Sequence, residues 1–157
     1  MKSQKKQTSP VTDYIRKHSK DGYFSLDRGG HNMSLRIDHV LNIARRAEFT
    51  IEAEPEEIEV RGNAMASGDA AADKAVEDEI LRRLDQGDVW AWASVTVRCT
   101  LEGFEGRDHL GCCSYKDEAD FIQPGGYYDD MRVEAFCELL VAMADARKRL
   151  SLAEGRI

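Results

Sequence analysis

The clearest pattern in the chain is a row of alternating apolar and polar positions from Val89 to Leu101. Side chains of a β-strand point alternately to its two faces. Read as a strand, one face carries Val89, Ala91, Ala93, Val95, Val97, Cys99 and Leu101; the other carries Trp90, Trp92, Ser94, Thr96, Arg98 and Thr100. The first face is apolar throughout and predicts a core side. The second is mostly polar, so two tryptophans on it require a cover or a partner.

The same reading places the other elements. Ser34 predicts an N-cap, and Leu35, Ile37, Val40, Leu41 and Ala44 follow at helical spacing, so a helix is expected over 35–47. Phe49 to Glu54 alternates as a strand until Pro55 breaks it, with a possible resumption from Ile58 to Arg61. A helix over 69–86 is predicted from Ala72, Val76, Ile80 and Leu84, with Gly87 ending it. Gly103 and Gly106 suggest a hairpin turn into a strand from Arg107 to Tyr115. A last helix starts at Asp129 or Asp130 and reaches about Leu150, with Met131, Ala135, Leu139, Met143 and Leu150 facing inward. Residues 13–33 fit no single pattern. The element order predicts an α+β fold, a small, mainly antiparallel sheet of three to four strands packed with about three helices. Residues 1–12 are expected to be a disordered basic tail, and residues 13–157 a single domain.

Composition narrows this picture. At 157 residues, with 42% apolar and 32% charged residues, the chain has the profile of a water-soluble domain with a sizeable core. No apolar run approaches the roughly 18 residues of a membrane span, and no hydrophobic stretch follows the basic start as in a secretory signal. Net charge is −7, but Lys2, Lys5, Lys6, Arg16, Lys17 and Lys20 make the first twenty residues basic and leave an acidic body. Such a body repels nucleic acid and favours basic surfaces. Four cysteines, two of them adjacent at 112 and 113, do not form a secreted disulfide framework; they predict reduced thiols and a cytoplasmic setting.

Candidate chemistry is sparse. The loop Gly62 to Gly68 leads into a helix N-terminus, but it lacks the Gly-Lys-Ser/Thr of a phosphate loop and ends on Asp69. Asp69, Asp73 and Glu77 lie at i, i+4 and i+8, a row able to approach a hard cation or to form a solvated face. His109, Cys99, Cys112 and Cys113 are zinc-compatible residue types without zinc spacing, so buried structural cysteines are expected and no metal or other cofactor. Glu48, Glu52, Glu54, Glu56, Glu57 and Glu59 place six acids within twelve residues. They read as an aggregation-resistant edge strand or as an acidic binding surface. Trp90 and Trp92, beside Arg98 and Tyr115, form an aromatic anchor if nothing in the fold covers them.

The run RGNAMASGDAAADKAVEDEILRRLDQGDVWAWASVTV, followed by LGCCSYKDEADFI and GGYYDDM, resembles small proteins of bacteriophages, prophages and other mobile elements over about residues 58–133. The resemblance implies a genomic setting and carries over no catalytic residue. Together these features point to a non-enzymatic accessory protein of the host-takeover or counter-defence type. It binds a host or phage protein through acidic surface and a tryptophan-bearing sheet face. Two alternatives are a metal-dependent or nucleic-acid-handling protein using the Asp69/Asp73/Glu77 row, and a single-stranded nucleic-acid binder using Trp90, Trp92 and the basic tail.

Overall fold

The computed structural model describes residues 9–154. Five helices and six strands follow in the order α1 (Pro10–Lys17), β1 (Ser19–Lys20), β2 (Tyr23–Arg28), β3 (His31–Arg36), α2 (Ile37–Arg46), β4 (Glu48–Pro55), α3 (Ala70–Asp85), β5 (Ala93–Leu101), β6 (Phe104–Cys113), α4 (Glu118–Phe121) and α5 (Tyr127–Glu154). The chain is α+β and its sheets are antiparallel, in the expected class. The strands divide between two three-stranded sheets, β1-β2-β3 and β4-β5-β6, and do not form one.

The first sheet occupies the segment without a clear pattern. Its burial does alternate, with Phe24, Leu26 and Met33 inward, but β2 and β3 are only six residues long and β1 only two. The β2–β3 turn is Gly29-Gly30, both at positive φ, in the two-residue form that matches strand twist. Ser34 lies inside β3, and α2 begins three residues later with Arg36 as its N-cap. The expected serine cap is therefore displaced: strand pairing of Ser34 with Ser25 takes its backbone before a helix can. Residues 10–12, expected within a disordered tail, are instead the first turn of α1, with Val11 buried; the rest of that expectation, residues 1–8, lies outside the described residues. Pro10 sits at the first helical turn, where a missing N–H is harmless.

One core joins both sheets. Val11 and Ile15 of α1, Phe24 and Leu26 of β2, and Val40 and Ile43 of α2 share it with Val95, Val97 and Cys99 of β5 and Ala135, Phe136 and Leu139 of α5. Helix α5 lies across β5 and β6 and against α1. The expected inner face of α5 is buried from Met131 to Leu140, but Met143 is half-buried and Leu150 is exposed. The β2–β3 hairpin is tied to α5 by Arg28, which pairs with Glu134 and Glu138 at 2.5 and 2.9 Å, and by His31, 2.7 Å from Asp145. Among the described residues no helix is long and apolar enough to cross a membrane.

In β4-β5-β6 the inner face holds Phe49, Ile51 and Ala53 with the apolar positions of β5, as alternation predicts. Gly106 is not a turn residue. The β5–β6 turn is Glu102-Gly103, while Gly106 is a buried point of contact with α5. The strand proposed after Pro55 is absent; residues 56–69 form a loop that folds back on α3.

Candidate binding surfaces

The tryptophans are not neighbours on one face. Residues Val89–Ala91 form a tight 3-10 turn, capped by Asp88, whose carboxylate accepts from the Trp90 N–H at 3.0 Å. This turn breaks the period of two, and β5 begins only at Ala93. Trp90 packs among Tyr115 and Phe121, with ring centroids 6.5 and 5.6 Å away. Trp92 is 3% exposed, in a separate cluster with Val60, Ile80 and Ala91, and its indole N–H donates to the Ile58 carbonyl at 2.7 Å. Of the two outcomes the sequence allows, a cover or a partner, the fold supplies the cover for Trp92, and the two indoles do not share a face. The cover of Trp92 is the 58–60 loop with α3. Tyr115 is half-buried, and burial raises its phenol pKa.

Helix α3 explains this cover. Asp69 caps it, accepting from Ala71 and Ala72 N–H at 3.0 and 3.1 Å. Asp73 accepts from the Ser67 hydroxyl and N–H at 2.5 and 3.0 Å, and these bonds lower its pKa. Glu77, 7% exposed, accepts from Gly62 N–H at 2.7 Å and from Arg61 at 3.3 Å. The carboxylate row is therefore a staple that holds the loop against the helix. Among the described residues no group of three or more His, Cys, Asp or Glu is gathered as a metal site. The helix is rotated from the expected stripe, so Val76 is exposed and Glu77 turns inward to the loop.

The outer face of β4-β5-β6 is polar. Arg98 on the central strand bridges Glu52 and Glu105 on the two edge strands, each at 2.9 Å. Ser94 and Thr96 meet the two ring nitrogens of His109 at 3.0 and 3.3 Å. Of the six expected acids, Glu52 is thus engaged by Arg98. Glu56 is also engaged, in a way the sequence does not announce. One carboxylate oxygen accepts from the N–H groups of Glu57 and Ile58 at 2.9 and 3.2 Å, and the other from Cys112 N–H at 2.8 Å. Cys112 is the left-handed residue, φ 54°, of a β-bulge in β6 opposite Ser94. Glu56 clamps the end of β4 to that bulge, and the Cys112 N–H is the first cause of its lowered pKa. Glu48, Glu54, Glu57 and Glu59 have no hydrogen-bonding or ion-pair partner for their carboxylates among the described residues.

The clamp predicts a pH effect. A carboxylate with a lowered folded pKa adds stability above its unfolded value, about 4.5, and loses it as pH falls through the folded value. Glu56→Ala is expected to cost about 1–2 kcal/mol at neutral pH, for lost charge-assisted bonds to backbone N–H groups. Between about pH 5 and 3 the gap between wild type and variant should narrow. Chemical denaturation at a series of pH values measures it, and a constant gap contradicts the clamp.

All four cysteines are free. Cys99, Cys113 and Cys137 are buried, and burial pushes the Cys99 thiol up to about 12 and the Cys113 thiol to about 11. Cys112 alone is exposed, with its pKa also raised, first by desolvation and then by Glu56. An aromatic disulfide reagent is expected to titrate one thiol in the native protein and four after unfolding. Two native thiols, or fewer than four in total, would contradict this arrangement.

No protein-family model, no curated protein and no solved structure matches the chain.

Proposed function

We propose that the chain is a non-enzymatic binding protein whose acidic edge engages a basic surface of a protein partner. The observation that carries this reading is the division of labour among the acids. Glu52 and Glu56 are consumed by the fold, whereas Glu48, Glu54, Glu57 and Glu59 are left unneutralised along and just beyond edge strand β4. Unneutralised charges on one margin steer an oppositely charged partner and fix its orientation. With Trp92 buried and Trp90 packed against Tyr115 and Phe121, the two indoles offer no shared open face for stacking on single-stranded nucleic acid, and the acidic margin repels phosphates. The biological setting that fits is a phage or mobile-element accessory protein acting on a host or phage protein in the cytoplasm. The immobilised chain is expected to retain a basic protein from a lysate of its natural host and release it between about 0.15 and 0.5 M salt, because exposed charge contacts are screened over that range. Retention that is indifferent to salt would contradict the reading.

A further inference from the structure

A groove with a volume of about 610 Å³ opens between β3, α2 and the C-terminal half of α5. Its apolar lining comes from Met33, Leu35, Ile43, Leu140 and Met143, and its polar lining includes Arg147 and Lys148 and no carboxylate. Three acids on the neighbouring elements are engaged elsewhere. Asp38 pairs with Arg36, Asp145 with His31 and Glu102 with Arg46. Arg147 and Lys148 form no ion pair with any described residue. In a chain of net charge −7 this is apolar surface bordered by uncompensated positive charge.

That combination narrows the occupant. The chain's own residues 1–8 carry Lys2, Lys5 and Lys6 and no acid, so the groove repels them. A two-fold contact would have to supply acids for Arg147 and Lys148 from the same patch of a second copy, and the groove lining contains no carboxylate. A volume of several hundred Å³, mainly apolar walls and a few convergent polar groups are the features of a small-molecule site. We propose that the groove binds a single-chain amphiphilic anion. The apolar tail lies along Met33, Ile43, Leu140 and Met143, and the carboxylate head meets Arg147 and Lys148 through charge-assisted hydrogen bonds. Two methionines in the lining let the walls adjust to a flexible chain.

The test is calorimetric titration of the full chain with dodecanoate below its micelle concentration. Saturable one-to-one binding is expected. Decanoate should bind about tenfold more weakly, since each buried methylene contributes severalfold. Arg147→Glu with Lys148→Glu should weaken dodecanoate at least tenfold while leaving the melting temperature in place, because both positions are exposed. Dodecyltrimethylammonium, with the same tail and the opposite charge, should not bind. The proposal is overturned if dodecanoate shows no saturable binding, if the cationic amphiphile binds equally, or if the double variant keeps its affinity. A stable dimer in sedimentation that dodecanoate does not dissociate would assign the groove to a second copy and overturn it too.

Discussion

Trp92→Ala is expected to remove about 3–5 kcal/mol of stability, the range for truncating a buried large aromatic. The indole fills the only cluster that joins α3 and the 58–60 loop to the end of β5, among the described residues. Two losses combine in the variant. A cavity opens between Val60 and Ile80, and the Ile58 carbonyl loses the donor that meets it at 2.7 Å. Helix α3 should then loosen before the main core does, because its other ties are polar: the exposed staple bonds of Asp73, the partly buried ones of Glu77, and Arg83, which donates to Asp88 at 2.9 Å and to the Tyr115 carbonyl at 2.7 Å. Urea unfolding followed by circular dichroism, with hydrogen exchange across residues 70–85, measures both effects. A loss below about 1 kcal/mol would mean that the indole is not a core residue.

Gly106→Ala is expected to be at least as damaging. A Cβ at this position would overlap the Ala135 carbonyl oxygen and the Leu139 nitrogen. Those are backbone atoms of α5, so no side-chain rotation relieves the overlap. The glycine's own φ is not in the left-handed region, which leaves space as the sole reason for its identity. The helix must retreat from β6 by more than 1 Å, opening the contact that includes Leu139 and Phe136. Overpacking a core costs typically 1–3 kcal/mol, and a clash with backbone belongs above that range. The expected result is a loss of more than 3 kcal/mol or a chain that does not fold cooperatively. A variant with the parent's denaturation midpoint would show that α5 does not approach the sheet this closely.

These two residues also show how far the sequence could be read. The apolar row from Ala93 to Leu101 is legible because strand alternation coincides with a long buried strand. Gly106 is visible in the sequence as a glycine close to Gly103 and so predicts a turn, since close helix–sheet approach and positive φ leave the same mark in a sequence. Extending the strand back to Val89 misplaced both indoles. The signal for the break is Asp88, a short acceptor two residues before Trp90, but capping by one aspartate is weak against a strong alternating run. The first sheet leaves no clear pattern in the sequence because strands of two and six residues carry too few alternations to outweigh three loosening glycines. Glu56 was visible as one acid among six. Its clamp on the bulge depends on a contact 56 residues away, which no local pattern encodes.

The candidate surface follows from what the fold leaves unused. Strand β4 is an edge, and its outward acids divide into those that hold the sheet together and those that do not. The engaged pair, Glu52 and Glu56, should be silent in binding and matter for stability. The free set should behave in the opposite way, because neutralising it removes mutual repulsion and breaks no bond.

The most direct measurement is therefore a comparison of the wild-type chain with Glu48→Gln/Glu54→Gln/Glu57→Gln/Glu59→Gln. Affinity for the salt-released partner is read by calorimetry, and thermal stability on the same samples. The acidic-edge account predicts at least a tenfold loss of affinity with a melting temperature equal to or above the parent's. Undiminished affinity in a correctly folded quadruple variant would contradict it.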